Sequence, residues 1–172
     1  VLEPILKRSM IKNAYASLKG RGQNYGKLKV KKKAKTKNGR FYYKCDIRKF
    51  YPSVDNGLLI EMLKRKIKGP KLMKMIKDIL ALEKGLPIGM ILSQLFSNFF
   101  MNDVDHLMES MNYCRYADDI VIFGKASEVV HKARKILENA ISKKRLTIKP
   151  TWIVYKLKNT PLDFMGFRFY RD

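Results

Sequence analysis

The chain has 172 residues, room for one domain with a substantial core. Its 37 Lys and Arg against 15 Asp and Glu leave a formal charge of +22, an excess that points to a polyanionic partner, with nucleic acid first among the candidates. No apolar run reaches about 18 residues and no apolar leader opens the chain, so neither a membrane-spanning helix nor a membrane partner is expected.

In chain order, apolar Ile5, Leu6, Met10, Ile11, Ala14 and Leu18 recur at helical spacing and predict a helix over 1–18. Gly20, Gly22 and Gly26 break it. Residues 27–37 carry seven lysines in eleven positions; a solvated loop or edge hairpin and a phosphate-tracking segment both suit that composition. Asn38-Gly39 signals a turn before a strand over 41–47. Tyr51-Pro52-Ser53 ends that run, and Asp55 suits the N-cap of a helix near 56–67. A further helix is predicted near 71–82, a loop over 85–89, and a long helix over 91–110. A hairpin follows at 113–123, then an amphipathic helix over 127–144 and strands over 146–155 and 162–170. The order β-α-α-loop-α-β-β-α-β-β favours an α+β fold, an antiparallel sheet with helices on one face.

Cys45 and Cys114 lack a C-x-x-C partner and lie in apolar runs, so buried thiols are expected. His106 and His131 are isolated, which leaves a zinc site without ligands.

The acids carry the chemistry. Asp118 and Asp119 stand at the tip of the hairpin Tyr113–Phe123, between β-formers. Adjacent carboxylates repel, and a divalent cation would relieve that repulsion; a solvated turn is the alternative. Asp46 ends an otherwise apolar strand, where a carboxylate is costly unless paired or metal-bound. One acid on a central strand and two at a neighbouring hairpin tip can converge on two Mg²⁺ ions and run in-line phosphoryl displacement.

Five segments, in order, resemble the reverse transcriptase motifs. Asp46-x-x-x-x-Tyr51 is similar to motif A. Gly85-Leu86-Pro87-Ile88-Gly89-Met90-Ile91-Leu92-Ser93-Gln94 is similar to motif B, and Tyr116-Ala117-Asp118-Asp119 to motif C. Leu146-Thr147-Ile148-Lys149-Pro150 resembles motif D, and Phe164-Met165-Gly166-Phe167 resembles motif E, the primer grip. The form Ile88-Gly89-x-x-x-Ser93-Gln94, with Ser17–Gly22 ahead of it, most resembles enzymes of diversity-generating retroelements, within a superfamily shared with group II intron and retron enzymes.

The resemblance implies an RNA-directed DNA polymerase, probably of no high fidelity if an apolar Ile88 replaces the usual Gln. It implies a polymerase palm over 41–160, partial fingers over 1–40 and a primer-grip hairpin over 161–172, with no thumb expected. Metal would be held by Asp46, the Ile47 carbonyl, Asp118 and Asp119, as two Mg²⁺ with Mn²⁺ a substitute. Lys149 would donate a proton to pyrophosphate. Tyr51, Ile88, Gly89 and Gln94 would contact the nucleotide, with Tyr51 excluding a ribose 2′-OH. Arg115, Tyr116, Phe164, Met165 and Gly166 would meet primer or template, although a surface cation is an equal reading of Arg115. The implied partners are an RNA template, a DNA or RNA primer, dNTPs and a small basic accessory protein, in the cytoplasm of a bacterium or encoded by a phage. RNA-directed RNA synthesis, intron mobility or defence, and a catalytically silent nucleic-acid-binding module remain as alternatives.

Overall fold

A computed structural model describes residues 2–171; Val1 and Asp172, the outer ends of the first and last predicted segments, lie outside it. Its centre is a four-stranded antiparallel sheet. Strand β1 (Phe41–Asp46) pairs with β3 (Asp119–Gly124) on one side and β4 (Tyr155–Lys156) on the other, and β2 (Tyr113–Tyr116) closes the far edge beyond β3. A separate hairpin joins β5 (Leu162–Phe164) to β6 (Phe167–Phe169).

Period-2 alternation divides the sheet's side chains between two cores. Tyr43, Cys45, Ile47, Ile120 and Ile122 face a helical layer that includes Leu59, Leu63, Ile76, Phe96, Phe100, Leu137 and Ile141. These come from α4 (Asn56–Lys64), α5 (Pro70–Leu80), α6 (Ile91–Phe100) and α8 (Ser127–Lys143), with α7 (Asn102–Met108) following α6. Tyr42, Cys114, Val121 and Phe123 face the other way, onto Val30 and Ala34 of α2 (Gln23–Lys35) and Leu162, Phe164 and Phe169 of the β5–β6 hairpin. Each fully buried Leu, Ile or Phe contributes about 1.5–3 kcal/mol. The α+β class and the antiparallel sheet are as the sequence predicts. The sheet is covered on both faces, however, where helices on one face only were expected.

Several local expectations change for identifiable reasons. Helix α1 spans only Leu2–Lys7, not 1–18. Beyond it the chain runs through a series of turns and touches β2 at one isolated bridge, Ala14 to Arg115: Tyr15 N donates to Arg115 O at 3.0 Å and Arg115 N to Asn13 O at 3.0 Å. The Arg21 guanidinium holds that segment by donating to the carbonyls of Ile11 and Ala14. The lysine-rich stretch is helix α2, neither loop nor edge hairpin. Gly26 lies inside α2, because a Cβ there would stand 2.8 Å from Met165 Sδ and 2.8 Å from a Tyr15 ring carbon. The long helix predicted over 91–110 breaks at Met101 into α6 and α7, ending in a 3-10 turn at Glu109–Met111. The strand expected over 146–155 reduces to one bridge, Ile148 to Ile47, and to β4, with Pro150 lacking the N–H a ladder needs between them. A short helix α3 (Phe50–Ser53), absent from the sequence expectation, follows β1. Asp55 caps α4 as predicted, accepting from Leu58 N at 2.9 Å.

Candidate active site

Asp46, the last residue of β1, stands in register opposite Asp119, the first of β3. Alternation puts both side chains on the face that carries α2 and the β5–β6 hairpin. Like charges directly opposite each other destabilise a sheet, so the pair needs cations. Lys149 Nζ lies 3.6 Å from Asp46 Oδ2, and Lys44 Nζ lies 3.3 Å from Asp119 Oδ1.

Backbone bonds fix these groups. The β2–β3 turn places Ala117 at φ 53, and the carbonyl of Asp118 accepts from Ile47 N at 3.1 Å. The segment 147–149 pairs with the end of β1: Arg48 N donates to Thr147 O at 2.8 Å, and Lys149 N to Asp46 O at 2.9 Å. Lys149 therefore reaches Asp46 through backbone register as well as through its side chain. Asp46, Asp118, Asp119 and Lys149 come from three separated segments and meet at one end of the sheet.

Asp119 is the strained member. Burial pushes its carboxyl up to about 6, reinforced by the nearby Asp46 charge and opposed by Lys44. Its Oδ1 is buried and accepts no hydrogen bond; the Lys44 ammonium is close but not aligned for one. A buried carboxylate oxygen whose one counter-charge is an ammonium 3.3 Å away has room in its coordination for a further cation. Among the described residues no group of three His, Cys, Asp or Glu forms a ready metal cage.

The primer-grip-like turn adjoins the same carboxylate. Met165 N approaches Asp119 Oδ2 at 3.5 Å, and Gln23 Nε2 of α2 donates to Met165 O at 3.2 Å. Met165 and Gly166 form the turn at φ 55 and 77. Phe164 and Met165 are buried while Gly166 is exposed, so the backbone of the turn and Gly166, not the Phe164 ring, face outward. Tyr116, partly buried, stands opposite Asp119 in the β2–β3 register.

The motif-B-like loop is tied to the same end of the molecule. Leu86 N donates to Tyr51 O at 2.9 Å. Gly85, at φ +81, brings the loop so near that a Cβ would stand 2.6 Å from the Tyr51 and Pro52 carbonyl oxygens. Ile88 is 82% exposed, so it is not packed against the core of the described residues. Gly89 and Gln94 are exposed as well, and Tyr51 is partly buried against the first core.

Arg115 departs from expectation. It neither lies on the surface nor is free to reach primer or template: its side chain is fully buried, and it pairs with Asp105 of α7 at 2.6 Å. A second donation, from Nε, reaches Asp105 Oδ1 at 2.8 Å, and Nη1 donates to Asn98 Oδ1 at 3.1 Å and to Ala117 O at 3.0 Å. Tyr113 Oη donates to Asp105 Oδ1 at 2.8 Å, and Asn98 Nδ2 to Ala16 O at 2.9 Å. Arg115 thus holds the turn that carries Asp118 from behind. Asp105 has no local motif, so sequence reasoning missed it. The available signal was alternation: Tyr113 and Arg115 share the inward face of β2, and a buried guanidinium requires a carboxylate.

An antiparallel sheet in an α+β fold that presents paired carboxylates at a hairpin tip, with a primer-grip-like turn beside them, defines the palm class of nucleotidyl-transferring enzymes. The family model described as "Reverse transcriptase (RNA-dependent DNA polymerase)" matches residues 1–169, and the chain belongs to that family. It is also 22% identical to Protein YkfC of Escherichia coli (strain K12) over 184 residues, covering 77% of this chain and 48% of that protein. The chain therefore spans about half the length of that curated relative.

Proposed function

We propose that this chain is the palm, with part of the fingers and the primer grip, of an RNA-directed DNA polymerase that adds dNTPs to a primer 3′-OH. The observation that carries this reading is the Asp46–Asp119 register with the Asp118 turn bonded to the end of β1. Asp46, Asp118 and Asp119, with the Ile47 carbonyl, would hold the divalent ions, which when bound supply charge neutralisation for the attacking and leaving oxygens. Met165 N and Lys44 hold Asp119, so its carboxylate is oriented before substrate arrives. Lys149, hydrogen-bonded through its backbone to Asp46, keeps an exposed ammonium at the site where a pyrophosphate would leave. Tyr51 follows Asp46 by five residues and would select against a 2′-OH.

Within the family we read the chain as the diversity-generating type. The exposed Ile88 supports this, since an apolar side chain in that loop can neither donate to nor accept from a nucleotide. The template RNA, the primer and a basic accessory protein follow from the same reading. The test is primer extension on an RNA template with Mg²⁺ and dNTPs. Asp118→Asn is expected to abolish extension; a variant that extends as well as the unsubstituted chain refutes the assignment. Ile88→Gln, in the same assay, is expected to lower misincorporation opposite template adenine.

A further inference from the structure

The charge of +22 is not spent at the acidic hairpin tip, and one concentration of it lies elsewhere. At the opposite end of β1, Phe41 pairs with Gly124 of β3 and with Lys156 of β4. That end is five residues from Asp46, or about 17 Å along the strand. There a cleft of about 630 Å³ is lined by Lys37, Arg40, Lys125, Lys156, Lys158 and Arg171. All six lining residues are cations. None of them forms an ion pair with a carboxylate among the described residues.

The fold, not chance, gathers these side chains. Arg40 and Lys156 flank the β1–β4 pairing, where Leu157 N donates to Arg40 O at 3.0 Å. Lys125 directly follows β3, and Lys37 begins the 3-10 turn Lys37–Gly39 after α2. Arg171 is anchored from the chain's other end, Nη1 donating to Ala34 O at 2.7 Å and to Thr36 O at 2.8 Å. Four segments far apart in sequence therefore converge on one concave cluster of cations, with no anion lining it among the described residues. Like charges held together in this way repel, and a polyanion is the ligand that removes the repulsion.

We propose that this cleft is a second nucleic-acid site, one that grips the phosphodiester backbone of a nucleic acid segment lying outside the primer–template duplex at the palm. The lining offers no aromatic ring on which a base could stack, so the grip is on phosphates and does not read sequence. It also offers no apolar side chain to enter a bilayer, which separates it from a lipid-binding surface. The site lies on the sheet rim away from Asp46 and Asp119 and holds whether or not the chain polymerises.

The test is fluorescence anisotropy with a labelled RNA hairpin, titrated over a series of KCl concentrations, for the unsubstituted chain and for Lys125→Gln/Lys156→Gln/Lys158→Gln. All three lysines are exposed, and their melting curve serves as the folding control. Each lost phosphate contact lowers the slope of log affinity against log salt by about 0.9, so the triple variant is expected to lose about 2–3 from that slope. The corresponding Lys→Arg variant, which keeps the charge, is expected to restore it. A DNA hairpin is expected to behave in the same way, and an excess of unlabelled primer–template duplex is expected to leave part of the hairpin binding in place. An unchanged slope and affinity in the triple variant overturns the proposal. So does loss of binding to phosphatidylserine vesicles with RNA affinity intact, which would make the cleft a lipid surface.

Discussion

Asp105→Ala tests the claim that a buried ion pair, not a surface cation, holds the acidic turn. In the native protein Asp105 accepts from Arg115 at 2.6 and 2.8 Å and from Tyr113 at 2.8 Å. Both charged side chains have no exposure, so removal of the carboxylate strands a guanidinium and a phenol in the core. Breaking one partner of such a pair costs about 3–5 kcal/mol, a large share of the about 5–15 kcal/mol that holds a domain together. For a chain of this length each kcal/mol moves the melting temperature by about 2–4 °C, so a fall of about 6–20 °C is expected in calorimetry. Arg115→Met with Asp105→Leu removes both charges together and is expected to recover most of the loss. Ala117 O would still lack its donor in that double variant. The hairpin turn should therefore exchange its amide protons faster than in the unsubstituted protein even where overall stability returns. A fall of under about 1 kcal/mol for Asp105→Ala would refute the reasoning, because it would mean that the guanidinium finds water or another anion.

Two further outcomes follow from the site. Native Asp119 keeps its proton up to about 6, whereas the unfolded carboxyl releases it near 3.8. Between those values the folded state binds more protons, so in EDTA this group's contribution to stability is full below about pH 3.8 and is lost as pH rises through about 6. Asp119→Asn is expected to remove that fall from a plot of melting temperature against pH; an unchanged slope would count against burial as the cause. Gly85→Ala meets the Tyr51 and Pro52 carbonyls at 2.6 Å and forces a side chain into φ +81. It is expected to cost about 1–3 kcal/mol in urea unfolding and to raise the dNTP KM as the loop is displaced, and an unchanged urea midpoint would show that the loop yields freely.

The parts of the fold visible in the sequence are those set by local pattern. Alternating β-formers mark β1 and the β2–β3 hairpin, amphipathic spacing marks α4, α5 and α8, and the Asp55 cap was placed on the right helix. Two adjacent carboxylates at a hairpin tip are conspicuous in the sequence without knowing what surrounds them. What stayed hidden depends on partners far along the chain. The 10–18 segment has helical spacing but forms a series of turns, because β2 offers it a backbone bridge at Ala14 and Arg21 fastens its carbonyls. Lysine density made 27–37 look solvated, and it is a helix because Val30 and Ala34 bury against Tyr42 and Phe123 on the sheet. Propensity and charge do not reveal such a tertiary face.

Arg115 shows why the hairpin motif by itself does not make a site. A tip with two carboxylates would fold into many turn geometries if only its own residues decided. Here its conformation is fixed by contacts to five separate elements. Arg115 reaches α7 through Asp105 and α6 through Asn98, and its backbone bonds to the turn segment after α1 at Asn13 and Tyr15. Ile47 N holds the Asp118 carbonyl, and Met165 N, presented by a turn that α2 braces through Gln23, approaches Asp119. The contacts range from 10 residues apart in sequence, for Arg115 and Asp105, to 142, for Gln23 and Met165. The acids are therefore held by packed helices and strands before any ligand arrives, which is the condition under which opposed charges can be kept side by side in an otherwise hydrophobic sheet.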